Sequence, residues 1–190
     1  VNVNASADGI DSNGQVYIDG GTVIVSGATS GPDVALDYNG KAVITGGTFV
    51  STGVQEMAQT FDSSSTQNFI TVYYDSAVAA GSEIKVTDKD GNTVLSYNAD
   101  KEFTFAVISS DKLSTGETYT VTAGDNSNEV TITAGGSTIG ERSAGGPGGS
   151  NGNGGPGGNP PTGQPPQKPT DANGNEIEMP GPPSGESSQT

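Results

Sequence analysis

A chain of 190 residues with 22 acidic and 7 basic side chains has a formal net charge of −15. Such an acidic excess repels nucleic acid and anionic lipid, and it favours divalent cations as counter-charge. The chain has no Cys and no His, which excludes disulfides, thiolate or imidazole zinc sites, and Ser–His or Cys–His catalysis.

Residues 1–60 carry an internal repeat. Asp11-Ser12-Asn13-Gly14 returns as Asp37-Tyr38-Asn39-Gly40, and Ile18 to Gly21 is matched by Ile44 to Gly47 at the same offset of 26. Over residues 11–27 against 37–53, 8 of 17 positions are identical. Each unit reads Asp-x-Asn-Gly, a short β-branched run, Gly-Gly-Thr, a second short run, then Gly. No 3.6-residue period is present, so helix is not expected. Short strands with sharp Gly and Asn corners predict coils of a parallel β-helix, in which equivalent positions stack. Ile18 over Ile44 and Ile24 over Val50 are expected to fill its interior. A meander of antiparallel hairpins is the rival, because Asn-Gly is also a hairpin signal.

Residues 61–134 change rhythm. Strands are predicted at Phe69–Tyr74, Glu83–Thr87, Thr93–Tyr97, Phe103–Val107, Thr118–Ala123 and Glu129–Thr133. Asp88 to Asn92 joins the second and third as a hairpin, and Gly124 to Asn128 joins the last two. Alternation in Tyr119-Thr120-Val121-Thr122 implies a sheet with one wet face. A small antiparallel sheet or sandwich is therefore expected, placed to cover the end of the coils, where an open edge would aggregate.

Residues 135–190 hold 16 of the 30 Gly, 10 of the 11 Pro and no aromatic residue. Such a composition predicts a disordered Gly/Pro-rich tail or spacer. No apolar run is long enough to span a membrane, so membrane insertion is not expected. With neither a signal peptide nor an initiator Met ahead of Val1, the chain is read as a fragment of a longer precursor.

Five Asp lie in the repeat: Asp8, Asp11, Asp19, Asp33 and Asp37. Asp8, Asp11 and Asn13 fall within six residues, and Asp19 follows on the next run. Hard oxygen ligands between tight glycine turns, with no nitrogen or sulfur donor nearby, suit Ca²⁺. Stacked coils would put Asp11 about 4.8 Å from Asp37, with Asp33 close by. Like charges so opposed repel, and a cation between them would reverse the sign. The plain alternative is that these acids cap their own turns. The Asp88 to Asn92 cluster lacks the closing Glu of an EF-hand and is read as a turn. Tyr17 and Tyr38 are candidates to stack on sugar rings. No catalytic residue is assigned. The repeat has one basic residue, Lys41, as a base for lyase chemistry, and nothing marks Asp11 and Asp37 as a glycosidase pair.

Asp8-Gly9-Ile10-Asp11-Ser12-Asn13-Gly14, Ile18 to Gly21, Met57-Ala58-Gln59, Thr93 to Tyr97 and Gly116 to Gly124 together resemble one family. It is the bacterial carbohydrate-binding domain family of secreted right-handed parallel β-helices. The resemblance covers about residues 1–134. It implies a pectate-lyase-like fold without lyase activity, calcium at Asp8, Asp11 and Asn13 with Asp19 as a further ligand, and binding of acidic or cellulosic polysaccharide. A secreted or cell-surface location follows from it. With only about two coils present, the chain departs from the family in length, and part of a sugar surface would lie on other coils. Self-association through the open end of the solenoid, as in an adhesive surface filament, is the structural alternative.

Overall fold

The computed structural model describes residues 1–143. Regular structure there is all strand, in several sheets that mix parallel and antiparallel pairing. The repeat dictates the first half. One circuit of the chain is β2 (Ile10–Ser12), β3 (Val16–Ile18) and β4 (Thr22–Ser26); the next is β5 (Leu36–Tyr38), β6 (Ala42–Ile44) and β7 (Thr48–Gly53). Each strand pairs in parallel with its counterpart at the repeat offset: Asp11 with Asp37, Tyr17 with Val43, Ile24 with Val50. None of these pairs is antiparallel, so the hairpin alternative for residues 8–53 does not hold. β1 (Asn2–Asn4) lies parallel on the other side of β4, with Asn2 opposite Ile24.

Strands of three to six residues need sharp corners, and glycine supplies them. Gly47 has φ of +92°, and a Cβ there would stand 2.5 Å from the carbonyl oxygen of Gly21. Only a residue without a side chain fits both the left-handed backbone and the close coil above it.

Beyond the repeat, β8 (Phe69–Val78), β11 (Phe103–Ser109) and β14 (Ser137–Ile139) join β1, β4 and β7 in a six-stranded sheet ordered β1-β4-β7-β11-β8-β14. β11 runs antiparallel to β7, with Val107 opposite Ser51, and closes the edge that the second coil would otherwise leave open. A second sheet orders β10 (Thr93–Asn98), β9 (Glu83–Asp88), β12 (Thr118–Ala123) and β13 (Asn126–Thr131). Ile84, Val86, Tyr119, Val121 and Ala123 alternate inward along it, as the period of two requires.

Three sequence expectations change. The tail read from composition begins at 135, yet Ser137–Ile139 pair in parallel with Ile70 to Val72 of β8. Residues 144–190 of that tail lie outside the described residues. The turn expected over Gly124 to Asn128 is only Gly124-Asp125, because Ala123 already faces Asn126. Asn126 to Asn128 are an exposed edge strand whose polar side chains mimic a loop. Ile24 and Val50, expected inside the coils, face the other way.

The packing shows why. Val16, Val23, Val25, Leu36, Ala42, Ile44 and Phe49 fill the space between the coil walls, joined by Phe61, Phe69, Phe105 and Val107. Phe61 meets Phe49 edge-on at 4.8 Å and Phe69 at 5.6 Å, which bridges the coils to the closing strands. On the opposite side of β4 and β7, Val50 joins a second core with Ile70, Val72, Ile84, Phe103, Val121 and Ile132, and Ile24 packs against it. The central strands β4 and β7 are thus covered on both faces, and the Val23-Ile24-Val25 run of β4 is apolar on both faces for that reason.

Candidate functional site

The acids of the repeat line the outside of the stacked coils. Asp11 on β2 is exposed and Asp37 on β5 is half-buried, one directly over the other in register. Asp37 accepts a hydrogen bond at Oδ1 from Gln59 Nε2 at 2.7 Å, and Gln59 Oε1 accepts from the Tyr38 N–H at 3.2 Å. One amide side chain therefore takes the place that a third coil would fill below β5.

The remaining predicted ligands lie apart from this pair. Asp8 Oδ1 accepts the Val34 N–H at 2.8 Å, which ties the start of the first coil to the loop entering the second. Asp33 is half-buried in that loop. Asn13 and Asn39 stack at the Asn-Gly corners, with 3.4 Å between Asn39 Nδ2 and Asn13 Oδ1. Asp19 Oδ1 accepts from Thr45 Oγ1 at 2.7 Å across the same offset. Among the described residues no three carboxylates gather as a metal cluster. The six residues expected as calcium ligands are therefore spread over separate corners, and three of them, Asp8, Asn13 and Asp19, act as coil-to-coil ties. Asp11 and Asp37 remain as Cα partners in register. Their oxygens match calcium in chemistry but fall short of its six to eight ligands, so any such ion would keep several waters.

The two tyrosines separate. Tyr17 is 56% exposed on β3, with its hydroxyl on Gln15 Oε1. Tyr38 packs against the coil core, and its hydroxyl donates to the Thr60 carbonyl. Burial first, and the charge of Asp62 second, raise the Tyr38 phenol above its ordinary value. Its ring is thus partly covered, whereas that of Tyr17 is exposed. Lys41 donates to Ser64 Oγ at 3.4 Å.

Residues that the sequence did not single out close the coil end. Gln67 Nε2 donates to the Gly47 carbonyl at 2.9 Å and to Ser109 Oγ at 2.7 Å. Ser65 Oγ accepts the Ile44 N–H at 3.1 Å. Gln55 Nε2 donates to the Tyr74 carbonyl at 3.3 Å. The one available signal was three Gln within a stretch that has no strand alternation; polar side chains satisfy coil backbone where no further strand lies. Elsewhere, Ser76 to Ala79, Ser82 and Gly124 to Asn126 line a cleft of about 500 Å³. It holds a single carboxylate, Asp125, and no aromatic ring.

Compared with protein-family models, curated proteins and solved structures, the chain matches none of them significantly. Among the described residues no helix is long and apolar enough to cross a membrane.

Proposed function

We propose that residues 1–60 are coils of a right-handed parallel β-helix serving as a non-catalytic, calcium-stabilised polysaccharide-binding module of a secreted or cell-surface protein. The observation that supports it is the register of Asp11 on Asp37. Two like charges held one strand apart destabilise a parallel pair unless a cation lies between them. Calcium, when bound, would supply that charge and could bridge to sugar carboxylates, with Asp11 and Asp37 as the protein ligands. Tyr17, exposed on the neighbouring strand, offers an aromatic face for a sugar ring.

The test is a pair of titrations. Thermal melting with calcium, with magnesium and with chelator reads the ion. Binding of polygalacturonate and of soluble cellulose oligomers, each with and without calcium, reads the sugar. Calcium-specific stabilisation together with polysaccharide binding supports the proposal. Melting curves that coincide in calcium and chelator would remove the ion from it, and no binding to either polysaccharide would remove the sugar.

A structural or adhesive block of a surface filament is the alternative, and the outer edges of β2 and β3, unpaired among the described residues, favour self-association. Concentration-dependent self-association without polysaccharide binding would select it. Lyase activity has less support. Lys41 is engaged with Ser64, and unsaturated product absorbing in the ultraviolet would be its signature.

A further inference from the structure

The two coils are closed unequally. The second is covered below by β11 and by the side chains of Gln59, Ser65 and Gln67. Among the described residues the first has only β1 above it, on β4, while β2 and β3 each pair on one side alone. The N–H groups of Ile10 and Val16, and the carbonyls of Ser12 and Ile18, are bonded to the second coil. Alternation along a strand then aims the N–H and C=O of Asp11 and Tyr17 away from it. Val3, Ile10 and Ile18, half-buried, form the apolar floor at this end.

The repeat's glycines carry a second, independent asymmetry. In the second coil they are required by contact. A Cβ on Gly46 would stand 2.8 Å from the Asp19 carbonyl oxygen, and one on Gly40 would stand 2.7 Å from the Gly14 carbonyl oxygen. Their equivalents one coil earlier are Gly20 and Gly14. Gly20 has nothing within 4 Å of its would-be Cβ, and Gly14 has only Ser12 Oγ at 3.9 Å. Neither has a positive φ. Within the described residues nothing requires glycine at these two corners. The same corner geometry requires it as soon as another coil lies above.

We infer that the open face formed by β2, β3, Gly14 and Gly20 is an interface for one further β-coil of the same repeat, stacked in the same chain direction. The occupant is a pair of short parallel strands placed on Asp11 and Tyr17, with a carbonyl seated over each glycine corner. β1 already holds the third-strand position of that coil, since Val1 and Ala5 bond β4 as a coil strand does. A second copy of the chain does not meet this description. Its coil stack is plugged at the other end, so two copies could meet only head to head, with β2 and β3 antiparallel to their mates. This inference stands on register and glycine contacts and needs no calcium.

The test extends the full chain by one coil, with a copy of Val1–Thr22 fused ahead of Val1. That unit preserves the offset between β1 and β4. Hydrogen exchange at the Asp11 and Tyr17 amides and the melting temperature are read in the original and extended chains, each with and without Gly20→Ala. The expected result is exchange slowed at both amides by about an order of magnitude or more and a higher melting temperature in the extended chain. Gly20→Ala cancels that gain but leaves the original chain unchanged. Two results would overturn the inference. One is Gly20→Ala having the same effect in both backgrounds, or no added protection at all. The other is concentration-dependent protection of Asp11 and Tyr17 in the original chain, which makes a second copy the occupant.

Discussion

Asp11 and Asp37 are Cα partners across the parallel β2–β5 pair, and the Gln59 amide donates to Asp37 alone. Asp11 is thus the exposed, unassisted member, and its charge can be removed without stripping a buried partner. In chelator, Asp11→Asn is expected to raise stability by about 0.2–1 kcal/mol, the usual cost of like charges directly opposed in a sheet. In calcium the same substitution is expected to lower the melting temperature, because it removes a ligand. Melting curves of both proteins in both buffers check this, and a shift of the same sign in each would separate Asp11 from any ion.

The corner glycines make a second, purely mechanical prediction. Gly21 and Gly47 both have positive φ, +77° and +92°, but among the described residues only Gly47 lies under another coil. Gly21→Ala is expected to cost roughly 1–2 kcal/mol from the left-handed backbone alone. Gly47→Ala adds a clash with the Gly21 carbonyl and is expected to cost clearly more. Urea unfolding of the two variants reads the difference, and equal midpoints would mean the coils part easily at this corner.

The repeat made the stacking legible, because an offset that preserves Asp, Asn, Gly-Gly-Thr and Ile can be satisfied only when like positions share an environment. The pairings of Asp11, Ile18 and Ile24 with their counterparts follow from it directly. Period alone did not show which face of β4 looks inward, since both faces are buried and both read as apolar. Ile24 was therefore assigned to the wrong core. The stacking of Asp11 on Asp37 was legible, whereas the dispersal of Asp8, Asp19 and Asp33 was not. Residues close in sequence around a coil corner point to different walls, and spacing along the chain does not report that. Gln59 carried no periodic signal, because it acts once, where the repeat stops.

A third prediction concerns the joint between the coils and the second sheet. β10 and the turn to β11 reach the first coil through three side chains. Tyr97 and Asp100 contact Ser26 Oγ, at 3.1 and 3.4 Å, and Lys101 Nζ donates to the carbonyls of Ala5 and Gly27, the latter at 3.2 Å. Both carbonyls sit at coil corners, where no strand N–H donates to them among the described residues, so the ammonium satisfies groups that would otherwise be stranded. Lys101→Met keeps the stem and deletes the donors. The expected loss is about 1.5 kcal/mol, at the low end for charge-assisted bonds because the site is partly wet. Faster hydrogen exchange around Ala5 and Gly27, with the four-stranded sheet unaffected, would place the loss at this joint. A uniform acceleration would instead show that the two parts unfold together.

The turn between β9 and β10 sets an acid-side limit whose sign can be worked out. Asp88 Oδ2 accepts from Asn92 Nδ2 at 2.9 Å, and Oδ1 accepts the N–H groups of Asn92 at 2.8 Å and Asp90 at 2.9 Å. The Asn92 side chain first, then its backbone, hold the Asp88 carboxyl below its ordinary 3.8. A folded value below the unfolded one means that the native state takes up this proton later than the unfolded chain does. The turn's contribution is therefore complete above 3.8 and is lost as pH falls through the lower folded value. Asp88→Ala should melt below the parent at neutral pH, and the two curves should converge as the parent becomes protonated. Melting temperatures from neutral to strongly acidic pH check this. A gap that stays constant into acid would mean that Asp88 holds the turn through its shape and not through its charge.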